Sequence, residues 1–302
     1  MKRVGALVEV RRLMTDGFLC YDETSKHPQG PRLMGTKRIL VTNDDGILAP
    51  GLKALEEGLK ALGEVTVVAP DYERSATSQA ITIHAPLRVR ALDEQHYAVS
   101  GTPADSIILA LHLILKDKRP DLVVSGINPG ANLGENVIYS GTVAAALEAT
   151  LHGVPAMAIS YASRKHTDFL HSAAFAAQLA AKVLEEGLPP GVMLNVNVPR
   201  GEVRGVRITS QSRKITQNVI FENKDPRGRS YYWQDETVAF DDAEPDSDYA
   251  AILAQEISIT PLQADRTDYA SLNLLSGWLK ELQGPVTREP MTVVRPDSDP
   301  LF

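Results

Sequence analysis

The chain has 302 residues, 43% of them hydrophobic and 23% charged, a composition that allows a sizeable globular core. Its net charge of −7 argues against a nucleic-acid polymer as partner, because binding a phosphate backbone leaves a basic excess; a small phosphate ester is not excluded. One cysteine, Cys20, excludes an intrachain disulfide or a cysteine zinc site, and no apolar run approaches the roughly 20 residues of a membrane span, so a cytoplasmic protein with no membrane partner is expected.

Residues 1–37 are polar and broken by Pro and Gly, and read as a flexible arm. From Arg38 the pattern changes. "RILVTN" is a buried strand. "APGLKALEEGLKALG" follows, with Leu52, Leu55, Leu59 and Leu62 at helical spacing, Pro50 at the start and Gly63 at the stop. "EVTVVAP" is the next strand. Strands near 81–90 are expected to form a side ribbon. The alternation continues with a strand over 96–101, a helix over 103–116 and a strand over 121–126. A polar loop over 127–139 leads into a helix over 141–153. A strand over 155–161, a helix over 169–187 and a strand over 192–199 complete it. This order predicts an α/β fold: a Rossmann-like, mostly parallel sheet with right-handed crossovers and helices on both faces. Residues 38–204 form the expected catalytic domain. Residues 205–283 read as a smaller β-rich extension with little helix until 269–282, and 284–302 as a Pro-rich flexible tail.

Ligands of an open parallel sheet bind beyond the carboxyl ends of its strands. There the first strand delivers "NDDG", with Asp44 beside Asp45. A turn needs one Asp or Asn before Gly; a second, mutually repelling carboxylate at the end of a buried strand suggests a divalent cation. A hard cation takes carboxylate, amide, hydroxyl and water oxygens. The strand at 121–126 delivers Asn128, Asn132 and Asn136 with glycines between, then "SGT". Ser140 is a good N-cap, Gly141 permits close approach to the backbone and Thr142 adds a hydroxyl. A helix start of this kind can hold an anion, although capping alone would also account for Ser140. "ERSATS" offers Arg74, Ser75, Thr77 and Ser78 but reads by itself as a structural loop. The seven histidines form no close ligand pair. His84 and His112 read as surface or packing residues. No P-loop and no nucleophile elbow is present. Oxygen ligands beside an anion-binding helix start point to metal-assisted hydrolysis of a phosphate ester.

Five stretches, "ILVTNDDGILAPGL", "VVAPDYERSATSQAIT", "VSGTPADS", "DLVVSGINPGANLGENVIYSGTVAAALEA" and "ISITPLQADRTDY", together closely resemble the stationary-phase survival protein SurE family, from about Arg38 to about Leu282. The resemblance implies a metal-dependent phosphomonoesterase acting on nucleoside 5'- and 3'-monophosphates. It places the metal ligands on Asp44, Asp45, Ser75 and Asn128, with turnover depending on Asp44 and Asp45. It places the phosphate contacts on Asn132, Ser140, Gly141 and Thr142. One divalent cation per subunit, Mg²⁺ or Mn²⁺, is implied, as is a homodimer or homotetramer built by the extension. Two departures stand out: Ala76 replaces the Gly usual after "RS", and Ser106 replaces a frequent Cys. The alternatives are a broader phosphatase or exopolyphosphatase using the same site, and a nucleotide-binding module without turnover.

Overall fold

The computed structural model describes residues 36–165, 168–213, 216–238 and 244–282. The expected tail, and the expected arm except for residues 36 and 37, lie outside the described residues.

The first strand, β1 (Arg38–Thr42), lies in the middle of the sheet, between β2 (Glu64–Pro70) and β5 (Leu122–Pro129). Both pairings are parallel. Side chains alternate between faces along each strand, and here both faces are apolar. Ile39 and Val41 pack on one side and Leu40 on the other; Leu122 and Val124 part from Val123 in the same way. Such runs suit parallel strands covered on both sides. The first face is covered by α1 (Pro50–Leu59) and α5 (Leu170–Glu186), which set Leu52, Leu55, Leu59, Ala173 and Ala176 against it. The second is covered by α2 (Pro103–Leu109) and α4 (Gly141–Leu151), through Ile107, Val143, Ala146 and Leu147.

Outward from β2 the sheet adds β4 (His96–Val99) and β3 (Val89–Ala91). Outward from β5 it adds β6 (Ala156–Tyr161), β7 (Val192–Val198), β11 (Glu256–Gln263) and β8 (Gly205–Ile208). The chain thus builds outward from β1 on one side, then returns to build outward on the other. The switch falls between β1 and β5, where open α/β sheets form their ligand crevice.

The structure differs from the sequence reading in several places. The strand expected over 121–126 runs on to Pro129 past an irregularity between Gly126 and Asn128, so Asn128 belongs to the strand end and not to the loop. That loop closes with a helical turn, α3 (Asn136–Tyr139). The ribbon near 81–90 is reduced to β3, antiparallel to β4 at the sheet edge. Beyond residue 205, β8 and β11 join the main sheet, and the part standing apart is the hairpin of β9 (Thr216–Lys224) and β10 (Ser230–Val238). A short helix, α6 (Asp248–Leu253), precedes β11, and the final helical stretch divides into α7 (Tyr269–Ser276) and α8 (Leu279–Leu282). Strand neighbours are chosen by pairing across the whole chain, which local alternation does not encode; six helical residues are too few for a periodic signal.

Candidate active site

The carboxyl end of β1 turns sharply. Asn43 donates its amide to the Gly46 carbonyl at 3.0 Å and accepts the Gly46 N–H at 3.2 Å, a local turn that replaces the ladder the strand has left. Gly46 has φ of +100°, and a Cβ there would lie 3.1 Å from the Tyr72 carbonyl carbon. The turn therefore presents Asp44 and Asp45 at the crevice, with the 71–78 loop folded against them. Arg74 N–H donates to the Asp44 carbonyl at 2.7 Å, which sets the residue next to Ser75 on the aspartate pair.

Asp44 is 4% exposed. Thr142 donates its hydroxyl to the Asp44 carboxylate, and its backbone N–H also favours the charged form. Gly141 makes this approach possible: a Cβ there would lie 2.8 Å from Asp44 Cβ and 3.0 Å from Oδ2. Ser140 caps α4 by accepting the Val143 N–H at 3.1 Å. The start of α4 thus already holds an anion, and that anion is Asp44. Burial raises the Asp44 pKa, and the Thr142 hydrogen bonds oppose that rise. Asp45 is pushed up to about 7 by burial first, then by the charges of Asp44 and Glu73. Its Oδ2 is buried without a hydrogen-bond partner. A buried, unpaired carboxylate oxygen beside a second buried carboxylate is costly unless a cation neutralises the pair.

The other expected ligands sit on the adjoining loop and on the neighbouring strand end. Ser75 is exposed and donates its hydroxyl to Glu73 at 2.7 Å. Ser78 fastens the same loop to the approach of α4, through bonds to the Tyr139 and Ile138 carbonyls at 3.0 and 2.7 Å. Asn128 is at the carboxyl end of β5, the strand next to β1. Its Nδ2 donates to the Gly130 carbonyl at 2.7 Å, which leaves Oδ1 as the free amide oxygen. Asn132 is more fully engaged. Its side chain donates to Ser160 Oγ at 2.8 Å, its N–H to Asn197 Oδ1 at 2.8 Å, and its carbonyl accepts from Asn195 and Asn197.

Among the described residues no group of three or more His, Cys, Asp or Glu side chains is arranged to hold a metal. The candidate set has only two carboxylates and draws on a hydroxyl and an amide oxygen, a donor chemistry that suits a hard cation. The orphaned Asp45 Oδ2 and the raised Asp44 and Asp45 fit such an ion. A cavity of about 610 Å³ lies between α4 and the β7–β11 end of the sheet; Ser140 lines it and neither aspartate does.

Residue-level reading of the sequence passed over Glu73, Asn195 and Asn197. Glu73 adds charge to the pair and receives Ser75; as one acid in a polar loop it carried no signal. The two asparagines did carry one, since "NVN" puts polar side chains inside an otherwise apolar strand, and both are fully buried.

The open α/β sheet thus sets two adjacent carboxylates at its switch point, where such sheets bind their ligands. The family model described as "Survival protein SurE" matches residues 39–218, and the chain belongs to that family. It is 50% identical over 244 residues to the 5'-nucleotidase SurE of Myxococcus xanthus, covering 80% of this chain and 93% of that protein. It is 52% identical over 246 residues to the 5'-nucleotidase SurE of Geobacter sulfurreducens, with the same coverage. The crystal structure of the SurE protein from Aquifex aeolicus matches with a TM-score of 0.73 and 40% identity, covering 80% of this chain and 99% of that one.

Proposed function

We propose that the crevice at Asp44 and Asp45 is where this chain hydrolyses nucleoside 5'-monophosphates, and 3'-monophosphates with them, to nucleoside and phosphate. The activity follows from membership: relatives named 5'-nucleotidase share about half their residues with four-fifths of this chain, and the chain is a 5'-nucleotidase. In this reading Asp44, Asp45, Ser75 and Asn128 hold one divalent cation, Mg²⁺ or Mn²⁺, in each subunit. Bound there, the ion supplies positive charge for the phosphoryl oxygens and lowers the pKa of a water molecule.

The chain's own residues divide the remaining work. Thr142 occupies one oxygen of Asp44 and fixes it as a stationary anion. Asp45 keeps an unengaged, buried oxygen, and that oxygen is the one left for the cation. Asn132 and the Ser140–Thr142 helix start border the phosphate. Asn132 retains one amide hydrogen and its Oδ1 beyond its bond to Ser160. The observation that carries the reading is the unpartnered Asp45 Oδ2 beside the buried Asp44.

Self-association as a homodimer or homotetramer belongs to the same proposal. The β9–β10 hairpin exposes Phe221, Tyr231, Tyr232 and Trp233, while α7 and α8 expose Leu274, Leu279 and Leu282. Exposed apolar groups gathered in this way mark interaction surfaces. Among the described residues no helix is long and apolar enough to cross a membrane, and the acidic charge and single cysteine support a cytoplasmic protein acting on small nucleotides rather than on a polymer.

The test is phosphate release from nucleoside monophosphates and short polyphosphate with Mg²⁺, Mn²⁺ or chelator, on wild type, Asp44→Asn and Asp45→Asn. Metal-dependent release from the monophosphates, lost in both folded variants, is the expected result. Normal turnover in both variants would overturn the assignment of the site.

A further inference from the structure

We propose that Asp248 is a positioning residue for the nucleotidase site, acting on the loop that carries Asn132 from the opposite end of the chain. The inference rests on the reading that Asn128 and Asn132 belong to that site. Asp248 opens α6 and is fully buried. Its Oδ2 accepts the Gly134 N–H at 3.1 Å across 114 residues of sequence. Its Oδ1 accepts the Ser212 N–H at 3.0 Å, the Ser212 hydroxyl and the Tyr249 N–H at 2.7 Å. One carboxylate therefore gathers donors from three separate segments. The next peptide group is also held: Gln211 Nε2 donates to the Gly134 carbonyl at 2.7 Å.

The next residue repeats the arrangement. Glu135 Oε1 accepts the Thr216 N–H at 2.8 Å and the Thr216 hydroxyl at 2.7 Å, and Thr216 is the first residue of β9. The middle of the Asn-rich loop is thus fastened on one side to α6 and on the other to the root of the hairpin. Asn132 lies two residues before Gly134, and α3 runs from Asn136 directly into the Ser140 cap of α4, whose first turn holds Asp44. Displacement at Asp248 reaches both the Asn132 side of the crevice and the helix start. Because the hairpin carries the exposed aromatics, whatever covers them has a bonded route to the same loop.

The buried carboxylate is needed because both of its oxygens accept. Asp248→Asn keeps the shape but turns an N–H₂ toward donors, leaving one of them unpaired. Two controls accompany it. Ala251→Gly, in the same helix and fully buried, weakens the helix without touching the loop. Ser212→Ala removes a donor from Asp248 and keeps the Gly134 bond.

Amide exchange over 130–136 is expected to quicken at least tenfold in Asp248→Asn and to stay near wild type in Ser212→Ala. Misplacement of reacting groups by about 1 Å can cost about a hundredfold in rate, so kcat is expected to fall on that scale in Asp248→Asn, with more Mn²⁺ needed for half-saturation. Wild-type exchange in Asp248→Asn overturns the proposal, as does an equal loss of kcat in an Ala251→Gly protein of matched Tm; either result makes Asp248 a brace of the fold alone. A wild type with no nucleotidase activity would remove the underlying reading, and the exchange result would still decide whether Asp248 anchors the loop.

Discussion

Thr142 and Asp44 are 98 residues apart in sequence and joined by a buried hydrogen bond from hydroxyl to carboxylate. The Thr142 backbone N–H also favours the charged carboxylate, and the positive end of α4 is directed at one member of the pair. The bond gives Asp44 a fixed orientation before any ligand arrives. Asp45, its neighbour, has no such partner on Oδ2.

Removing that hydroxyl tests the arrangement. Thr142→Val keeps the volume and deletes the donor. A hydrogen bond to a charged group contributes about 1.5–3 kcal/mol, so kcat/KM is expected to fall about 10- to 100-fold. Thr142→Ser is expected to retain most of the activity. Steady-state kinetics on a nucleoside monophosphate, with circular dichroism to confirm the fold, decides between them.

The glycine before it is sterically required. Gly141→Ala would set a methyl 2.8 Å from Asp44 Cβ, closer than carbon atoms tolerate, and the clash involves a buried side chain with no room to retreat. The expected outcome is a loss of activity larger than that of Thr142→Val, accompanied by a lower Tm. A variant with wild-type turnover would show that Asp44 can move without consequence.

The pH dependence follows from the aspartate pair. Burial, with repulsion from Asp44 and Glu73, lifts Asp45 to about 7, and burial raises Asp44 as well. In the unfolded chain an aspartate titrates at about 3.9. The metal-free folded state therefore binds more protons than the unfolded state between these values. Its stability is greatest below the unfolded pKa and declines as pH rises through about 7. Cation binding needs the deprotonated carboxylates, so stabilisation by Mg²⁺ is expected to grow with pH. Thermal unfolding with chelator and with excess Mg²⁺, at about pH 6 and about pH 8, measures both trends. Asp45→Asn, which cannot charge, is expected to unfold at a higher temperature than wild type in chelator at the higher pH.

Ala76, where the family resemblance implies Gly, has φ of +57°. An L-residue in the left-handed region costs about 1–2 kcal/mol, offset in part by the about 0.4–1 kcal/mol that a glycine loses through its freer unfolded chain. Ala76→Gly is expected to leave Tm unchanged or raise it slightly. The hydroxyl of Ser75 should remain in place, so Mn²⁺ binding by calorimetry is expected to match wild type.

Much of the site could be read from residue order because its parts sit at strand ends. An apolar run that stops at "NDDG" announces a buried strand and what it delivers, and Ser140 before an Ala-rich helix announces a cap. Asn128 reads as a loop residue, and the structure sets it at the end of β5. Three things were beyond such a reading. That Asp44 itself occupies the α4 start depends on a contact between distant segments. Ser75 has no physical signature in an exposed loop; it was singled out through resemblance alone. The entry of β8 and β11 into the main sheet depends on partners chosen only when the sheet assembles.

The switch of strand order between β1 and β5 also makes the site a measure of assembly. Both aspartates are synthesised early, yet Thr142 and Asn128 lie about a hundred residues downstream. A chain emerging from the ribosome carries its two acids long before it carries the groups that orient and complete them. On the proposed ligand set, free cations in the surrounding solution would meet an unfinished site until the two halves of the sheet have closed on each other, and tight metal uptake would serve as a timer for that closure.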